Sequence, residues 1–312
     1  MPSGEFEWSD LRFFLAVARA GKLTLAARQL GVEHSTVSRR IVALEATLGA
    51  KLFDRNPVGY VLTAHGERLF ASAEAMETLA SAAQQEIGGA DLGVSGTVRI
   101  GAPDGFGTSF LAARLGRLAA QHPALEIQFL AMPRLFNLTK READIAISLS
   151  RPKQGRLHAR KLTDYQLRLY ASRAYLDTHG PIENRAALLR HTFISYVDEL
   201  LYAPELDYTP QVARELRPRV KSSSVVAQFM AVKAGAGVAV LPGFMADADP
   251  DLVPLLADEV RLTRAFWLIT HSDTRTLARV QVAADFIARE VQEARSLFLP
   301  NEVRASFGHG RK

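Results

Sequence analysis

Ser35, Thr36, Ser38, Arg39 and Arg40 fall within six consecutive positions and carry the groups a helix needs to read nucleobase edges. Hydroxyls can donate or accept, and one arginine can offer two parallel donors to guanine O6 and N7. Their spacing places them on the second of two short helices. The first covers about Thr24 to Leu30, with Leu25, Ala26 and Leu30 as its apolar side. Gly31 supplies the freedom for a sharp turn, and Val32 fills the corner. The second helix starts where Ser35 or Thr36 can cap it and ends at Leu48. At roughly 100° per residue, Val37, Ile41, Leu44 and Leu48 share one stripe that must be buried. Ser35, Thr36, Arg39, Val42, Ala43 and Ala46 lie opposite, with Ser38 and Arg40 on the flanks. That slim face suits a major groove about 12 Å wide. An ordinary helical hairpin with a solvated polar face is the alternative, so the surrounding chain must discriminate.

The elements around it supply a mount. Trp8 to Ala20 places Leu11, Phe14, Leu15 and Ala18 at helical spacing, with Ser9 or Asp10 as cap and Gly21 as terminator. After Gly49, Lys51 to Asp54 are extended, Asn56, Pro57 and Gly59 form a turn, and Tyr60 to Thr63 return as a second strand. This is a wing, with Lys51, Arg55 and Tyr60 placed for phosphates or the minor groove. The expected DNA contacts are Thr24, Ser35, Thr36, Ser38, Arg39, Arg40, Lys51 and Arg55.

The run FFLAVARAGKLTLAARQLGVEHSTVSRRIVALEATLGAKLFDRN followed by LTAHGERL resembles the winged helix-turn-helix of LysR-type transcriptional regulators across residues 8–66. Beyond it, Ala64 to Gly88 reads as a long helix. Leu69, Ala73, Met76, Ala80, Ala83 and Ile87 form a heptad-like seam, expected to pair two chains, as the resemblance also implies. GGADLGVSG, residues 88–96, reads as a hinge.

From residue 97 the pattern changes to alternating strands and helices with a parallel sheet expected. Strands are read at TVRIGA, EIQFLA, ADIAIS, LRLYAS, TFISYV, RVKSSS, GAGVAVLP and AFWLIT. PDGFGTS reads as a glycine-rich loop opening a helix from Phe110 to Gln121. Further helices are read near Ala174–His179, Val225–Ala234 and Thr276–Arg295. This part resembles the two-lobed effector domain of the same family, similar to a periplasmic binding protein. The expected fold is thus α/β with an N-terminal all-α winged helix-turn-helix. The expected domains are 1–65 for the head, 66–94 for the linker helix and hinge, and 95–297 for the effector domain. Within the last, lobe I covers about 95–162 and 267–297 and lobe II about 163–266, leaving 298–312 as a disordered tail.

Ligands of open α/β sheets sit beyond the carboxyl ends of strands, where helix N-termini attract anions. The effector-binding candidates are Pro103, Asp104, Gly105, Thr108, Ser148, Ser150, Arg151, Tyr196, Ser222 and Ser223. Serines, amides and Arg151 suit an organic acid, whereas Asp104 asks for an amine or hydroxyl partner. Each serine has a competing use in capping its own helix.

Composition narrows the function classes. The 312 residues are 48% hydrophobic and 23% charged, enough for two or three domains. No cysteine is present, which excludes disulfides and thiolate metal sites and fits a reducing cytoplasm. No signal peptide or membrane span is read, and no membrane partner is expected. Residues 1–65 hold eight Lys or Arg against six Asp or Glu, so the net charge of +5 does not itself mark the head. No GxSxG, metal-ligand cluster or P-loop ending occurs, and His34, His158 and His191 are isolated. Catalytic residues, cofactors and metals are therefore not expected. The function expected is a ligand-responsive regulator that binds double-stranded DNA as a homodimer or homotetramer, with RNA polymerase as a further partner. A ligand-independent architectural DNA-binding protein and an α/β enzyme are the competing classes.

Overall fold

Apolar residues at helical spacing build the N-terminal unit around Phe14. A computed structural model describes residues 7–57, 59–70, 72–73, 76–77, 80, 94–138, 142–152 and 155–300, and the chain divides into two units, Met1–Leu92 and Gly93–Lys312. In the first unit α1 (Trp8–Ala20), α2 (Leu23–Leu30) and α3 (His34–Leu48) precede a hairpin of β1 (Phe53–Asn56) and β2 (Gly59–Leu62). Phe14 is fully buried, with the Phe53 ring 5.3 Å and the Phe70 ring 6.5 Å away. The amide of Tyr60 donates to the Gly21 carbonyl at 2.8 Å and ties the wing to the end of α1. A Cβ at Gly59, whose φ is +147°, would stand 2.2 Å from that oxygen, so only glycine allows the approach.

Several local expectations change. The N-cap of α1 is Glu7 and that of α3 is Glu33, neither through a side-chain bond. Both helices start before the predicted caps, so Ser9 and Asp10 lie in the first turn of α1, and Ser35 and Thr36 in that of α3. The Glu33 carbonyl already accepts from the amides of Thr36 and Val37. Leu25 is 47% exposed, and Val32 and Leu48 are each 37% exposed. Ala26 and Ala27 fill the buried side of α2 instead, small enough for the helices to lie close.

Residues 64–70 are helical, as are the described positions between 72 and 80. Ala73 is buried in the unit's own core, with Leu69, Phe70 and Met76 packed beside it. Arg19 pairs with Glu77 at 2.6 Å. The first half of the expected pairing seam is therefore consumed within the chain, because α1 supplies the apolar partner. Ala80 is exposed. Ala83, Ile87 and residues 88–93 of the expected hinge lie outside the described residues.

The second unit is built on β3 (Gly96–Ala102), β4 (Leu125–Ala131), β5 (Ile145–Ser148), β6 (Leu157–Ser172), β7 (Phe193–Tyr196), β8 (Val220–Ser222), β9 (Val238–Pro242), β10 (Leu252–Leu255) and β11 (Arg261–His271). Their order is β4-β3-β5-β11-β6-β9-β7-β8, with β10 also on β6. The sheet is mixed rather than parallel. β3 pairs parallel with β4 and β5, and β7 with β8 and β9, whereas β6 and β11 run antiparallel to each other and to their other neighbours. These two long strands carry the chain between the halves of the sheet. Their register shifts at Phe266/Trp267: Phe266 faces Thr163 and Trp267 faces Lys161, leaving Leu162 as the extra residue.

The predicted PDGFGTS loop is helical from Asp104. A short α turn at Asp104–Phe106 passes through a π-helical turn at Gly107–Leu111 into a helix at Ala112–Gln121. Its glycines serve packing, since a Cβ on Gly105 would meet Val225 at 2.6 Å and one on Gly107 would meet Ala131 at 2.7 Å. A second correction concerns the tail. Phe298 is buried against the rings of Phe106, Phe110, Phe244 and Phe266, and Leu299 is buried as well. Residues 301–312 lie outside the described residues.

Candidate nucleic-acid interface and ligand cleft

α3 buries Val37, Ile41 and Leu44, which turns the opposite side of the helix outward. Ser35, Arg39, Val42, Ala43 and Ala46 are exposed there, and Thr36 and Ser38 are half-buried. Thr24 is exposed on α2. Arg39 has no hydrogen-bond or ion-pair partner among the described residues, so its donors are available. Arg40 differs from its neighbour. Its guanidinium donates to Glu7 at 3.1 Å and to Asp10 at 3.0 Å, and lies 5.7 Å from the Phe13 ring centroid. That charge is held against α1, where it positions the recognition helix.

A groove of about 500 Å³ runs between α3 and the wing, with Ser38, Val42, Lys51 and Arg55 in its walls. Arg55 stacks over Tyr60 at 5.0 Å. Lys51 pairs with Glu45 at 2.7 Å while its side chain stays 77% exposed. Glu45 is buried and also accepts from the amides of Leu52 at 2.9 Å and Phe53 at 3.3 Å. Burial alone would raise the pKa of its carboxyl, but the Lys51 and amide hydrogen bonds outweigh it and hold the group below the ordinary range. This charged hinge sets the wing against the end of the recognition helix.

In the second unit, a small cavity opens where the start of the Asp104 helix faces β6, β7 and α4 (Val225–Lys233). Its volume is about 30 Å³, room for one or two waters. Of the sequence-derived candidates, Pro103, Asp104, Gly105 and Tyr196 line it. The other six do not. Thr108 and Arg151 are exposed, and Ser150 and Ser223 are half-buried. Ser148 is buried and accepts from the Ser150 amide at 3.3 Å, and Ser222 accepts from the Ser224 amide at 3.1 Å. The oxygens of Ser148 and Ser222 thus close local turns while each keeps an O–H donor.

Aromatic side chains replace them. Tyr165, Tyr202, Tyr208 and Phe266 join Tyr196 in the lining, and the Tyr165 ring stacks on Phe266 at 4.2 Å. A tyrosine at every sixth position, 196, 202 and 208, was the sequence signal for three of them. Burial pushes the phenols of Tyr165, Tyr196, Tyr202 and Tyr208 up, reinforced at Tyr202 by the Asp104 charge, so all four stay neutral. Asp104 is 6% exposed, and its Oδ2 accepts from Ser224 Oγ at 2.6 Å. Ser224 also caps α4 through the Ala227 amide, so one hydroxyl links the two sides of the cleft.

Residues 8–67 match the family described as bacterial regulatory helix-turn-helix protein, lysR family, and residues 92–292 match the LysR substrate binding domain. The chain is 27% identical over 288 residues to the transcriptional regulator CrgA of Neisseria meningitidis serogroup C, covering 90% of this chain and 96% of that one. It is 31% identical over 242 residues to the regulator PtxR of Pseudomonas aeruginosa, covering 76% and 77%. The solved structure of Neisseria meningitidis CrgA aligns with a TM-score of 0.59 at 26% identity over 91% of this chain and 98% of that one. ArgP from Mycobacterium tuberculosis shares the fold, with a TM-score of 0.64 at 21% identity over 90% and 96%. These relatives are regulators rather than enzymes. A helix-turn-helix head followed by a substrate-binding α/β domain makes this chain a member of the LysR family of bacterial transcriptional regulators.

Proposed function

We propose that this regulator reads promoter DNA through the exposed face of α3, with Arg39 as its principal base-reading side chain and Arg55 and Lys51 on the flanking phosphates. The observation that carries the reading is the unpaired Arg39 on an otherwise small face next to the wing groove. Around a single arginine, small side chains leave much of the specificity to DNA shape. Val42, 53% exposed, suits a thymine methyl group. Two heads on a dimer, or four on a dimer of dimers, would meet paired half-sites. The heptad spacing from Ala80 through Ala83 to Ile87 supports chain pairing, beyond the part of the seam consumed in the head. Effector binding in the aromatic cleft would change the angle between the halves joined by β6 and β11, and so the spacing of the heads. A cytoplasmic location and a contact with RNA polymerase follow from that role. No described helix is long and apolar enough to cross a membrane.

Selection of bound duplexes from a random pool, followed by titration of the winning sequence, tests the DNA reading. Arg39→Ala should weaken binding by about 1 to 3 kcal/mol and relax preference at one base pair. Unchanged affinity and an unchanged selected sequence would refute the face assignment.

A further inference from the structure

We propose that the cavity beside Asp104 takes a protonated amine, with Asp104 Oδ1 as acceptor and the surrounding tyrosine and phenylalanine rings as walls. The proposal rests on the reading of this cleft as the effector site and names the ligand class. Asp104 Oδ2 is satisfied by Ser224, but Oδ1 is buried without any hydrogen-bond partner. A carboxylate oxygen left that way is costly, and native proteins leave few of them. A donor from outside the fold, a water or the headgroup of a ligand, fits that place.

The lining shows which donor. It contains no lysine, arginine or histidine, so nothing in it would neutralise an incoming carboxylate. An anion would instead sit against the charge of Asp104. A cation gains from that charge and would lie among the aromatic rings of the lining, whose π clouds attract ammonium groups. Small volume adds a constraint. At about 30 Å³ the space admits an ammonium headgroup, and the rest of such a ligand would have to part the cleft at the Ser224–Asp104 link. Amine binding and lobe movement would then be the same event.

Calorimetric titration of the full-length protein with phenethylamine, phenethyl alcohol and phenylacetate separates the classes, because the three share a ring and a short spacer. Phenethylamine should bind, and the alcohol and the carboxylate should bind at least about tenfold more weakly. Asp104→Asn should weaken the amine about tenfold or more. Ser224→Ala, which leaves the carboxylate in place, should keep amine binding. Should the asparagine variant fail to fold, the ligand series on the unaltered protein and the alanine variant still decide. Equal or tighter binding of phenylacetate or the alcohol, or no binding of phenethylamine, overturns the amine assignment. If in that case either of the other two binds and Tyr202→Ala abolishes it, the cleft remains an effector site of different chemistry. Binding of any of them that is indifferent to Tyr202→Ala would remove the effector-site reading itself.

Discussion

The recognition face and the cleft solve opposite problems with polar side chains. On α3 the working groups project into water from a contiguous stretch, and the unpaired Arg39 loses nothing while it waits for DNA. In the cleft the working groups come from distant stretches, and the unpaired oxygen of Asp104 is buried. A free charge on a surface is cheap, whereas a buried carboxylate with one oxygen held by Ser224 and the other unsatisfied is costly until a donor reaches it. Under the proposed function the first site can be rigid and always ready, while the second would change when filled.

The largest expected effect lies in the aromatic core of the second unit. Phe298→Ala should cost about 3 to 5 kcal/mol by emptying the centre of the ring cluster with Phe106, Phe110, Phe244 and Phe266. Calorimetry should show a lowered transition for the second unit with the head's transition unmoved. A negligible loss would mean that the residues after Arg295 do not belong to the core of the second unit. Arg40→Ala sharpens the contrast with Arg39 at an intermediate size. It strips Asp10, whose side chain is 9% exposed, of its cation and should lower the melting temperature of the head. Arg39→Ala should leave stability within about 0.5 kcal/mol. Equal thermal effects of the two alanines would erase the division of labour between these neighbours.

A further expected effect depends on pH. Because the folded Glu45 carboxyl lies below its ordinary range, its contribution is fully present above the unfolded value and is lost as pH falls through the folded one. Glu45→Gln should therefore lower the head's stability by about 1 to 2 kcal/mol near neutrality. The difference from the unaltered protein should shrink in acid. A gap that stays constant with pH would show that hydrogen-bond geometry, not charge, joins the wing to α3.

Much of the head was legible because its signals are local. Gly21, Gly31 and Gly49 stop three helices where expected, each in the left-handed conformation. The Val37, Ile41 and Leu44 stripe is buried. Helix starts were less legible, since Ser35 and Thr36 look like caps until the carbonyl of Glu33 is seen in that role. Nor could spacing tell that Leu69, Ala73 and Met76 face α1, because a seam has the same period whichever partner it meets. In the cleft, serines in strand-end loops were indistinguishable from serines that close their own turns.

By itself, the sequence determined the order of elements, the two-part plan, the family and the slim face around Arg39, all of which depend on residues close together in the chain. Tertiary structure alone decided that Arg40 is spent on Glu7 and Asp10, that Phe298 belongs to a core, and that Asp104 shares one cavity lining with Tyr165, Tyr196, Tyr202 and Tyr208. Burial and pairing at those positions are set by partners dozens of residues away, brought near by the strand order of the sheet. Periodicity carries no record of them.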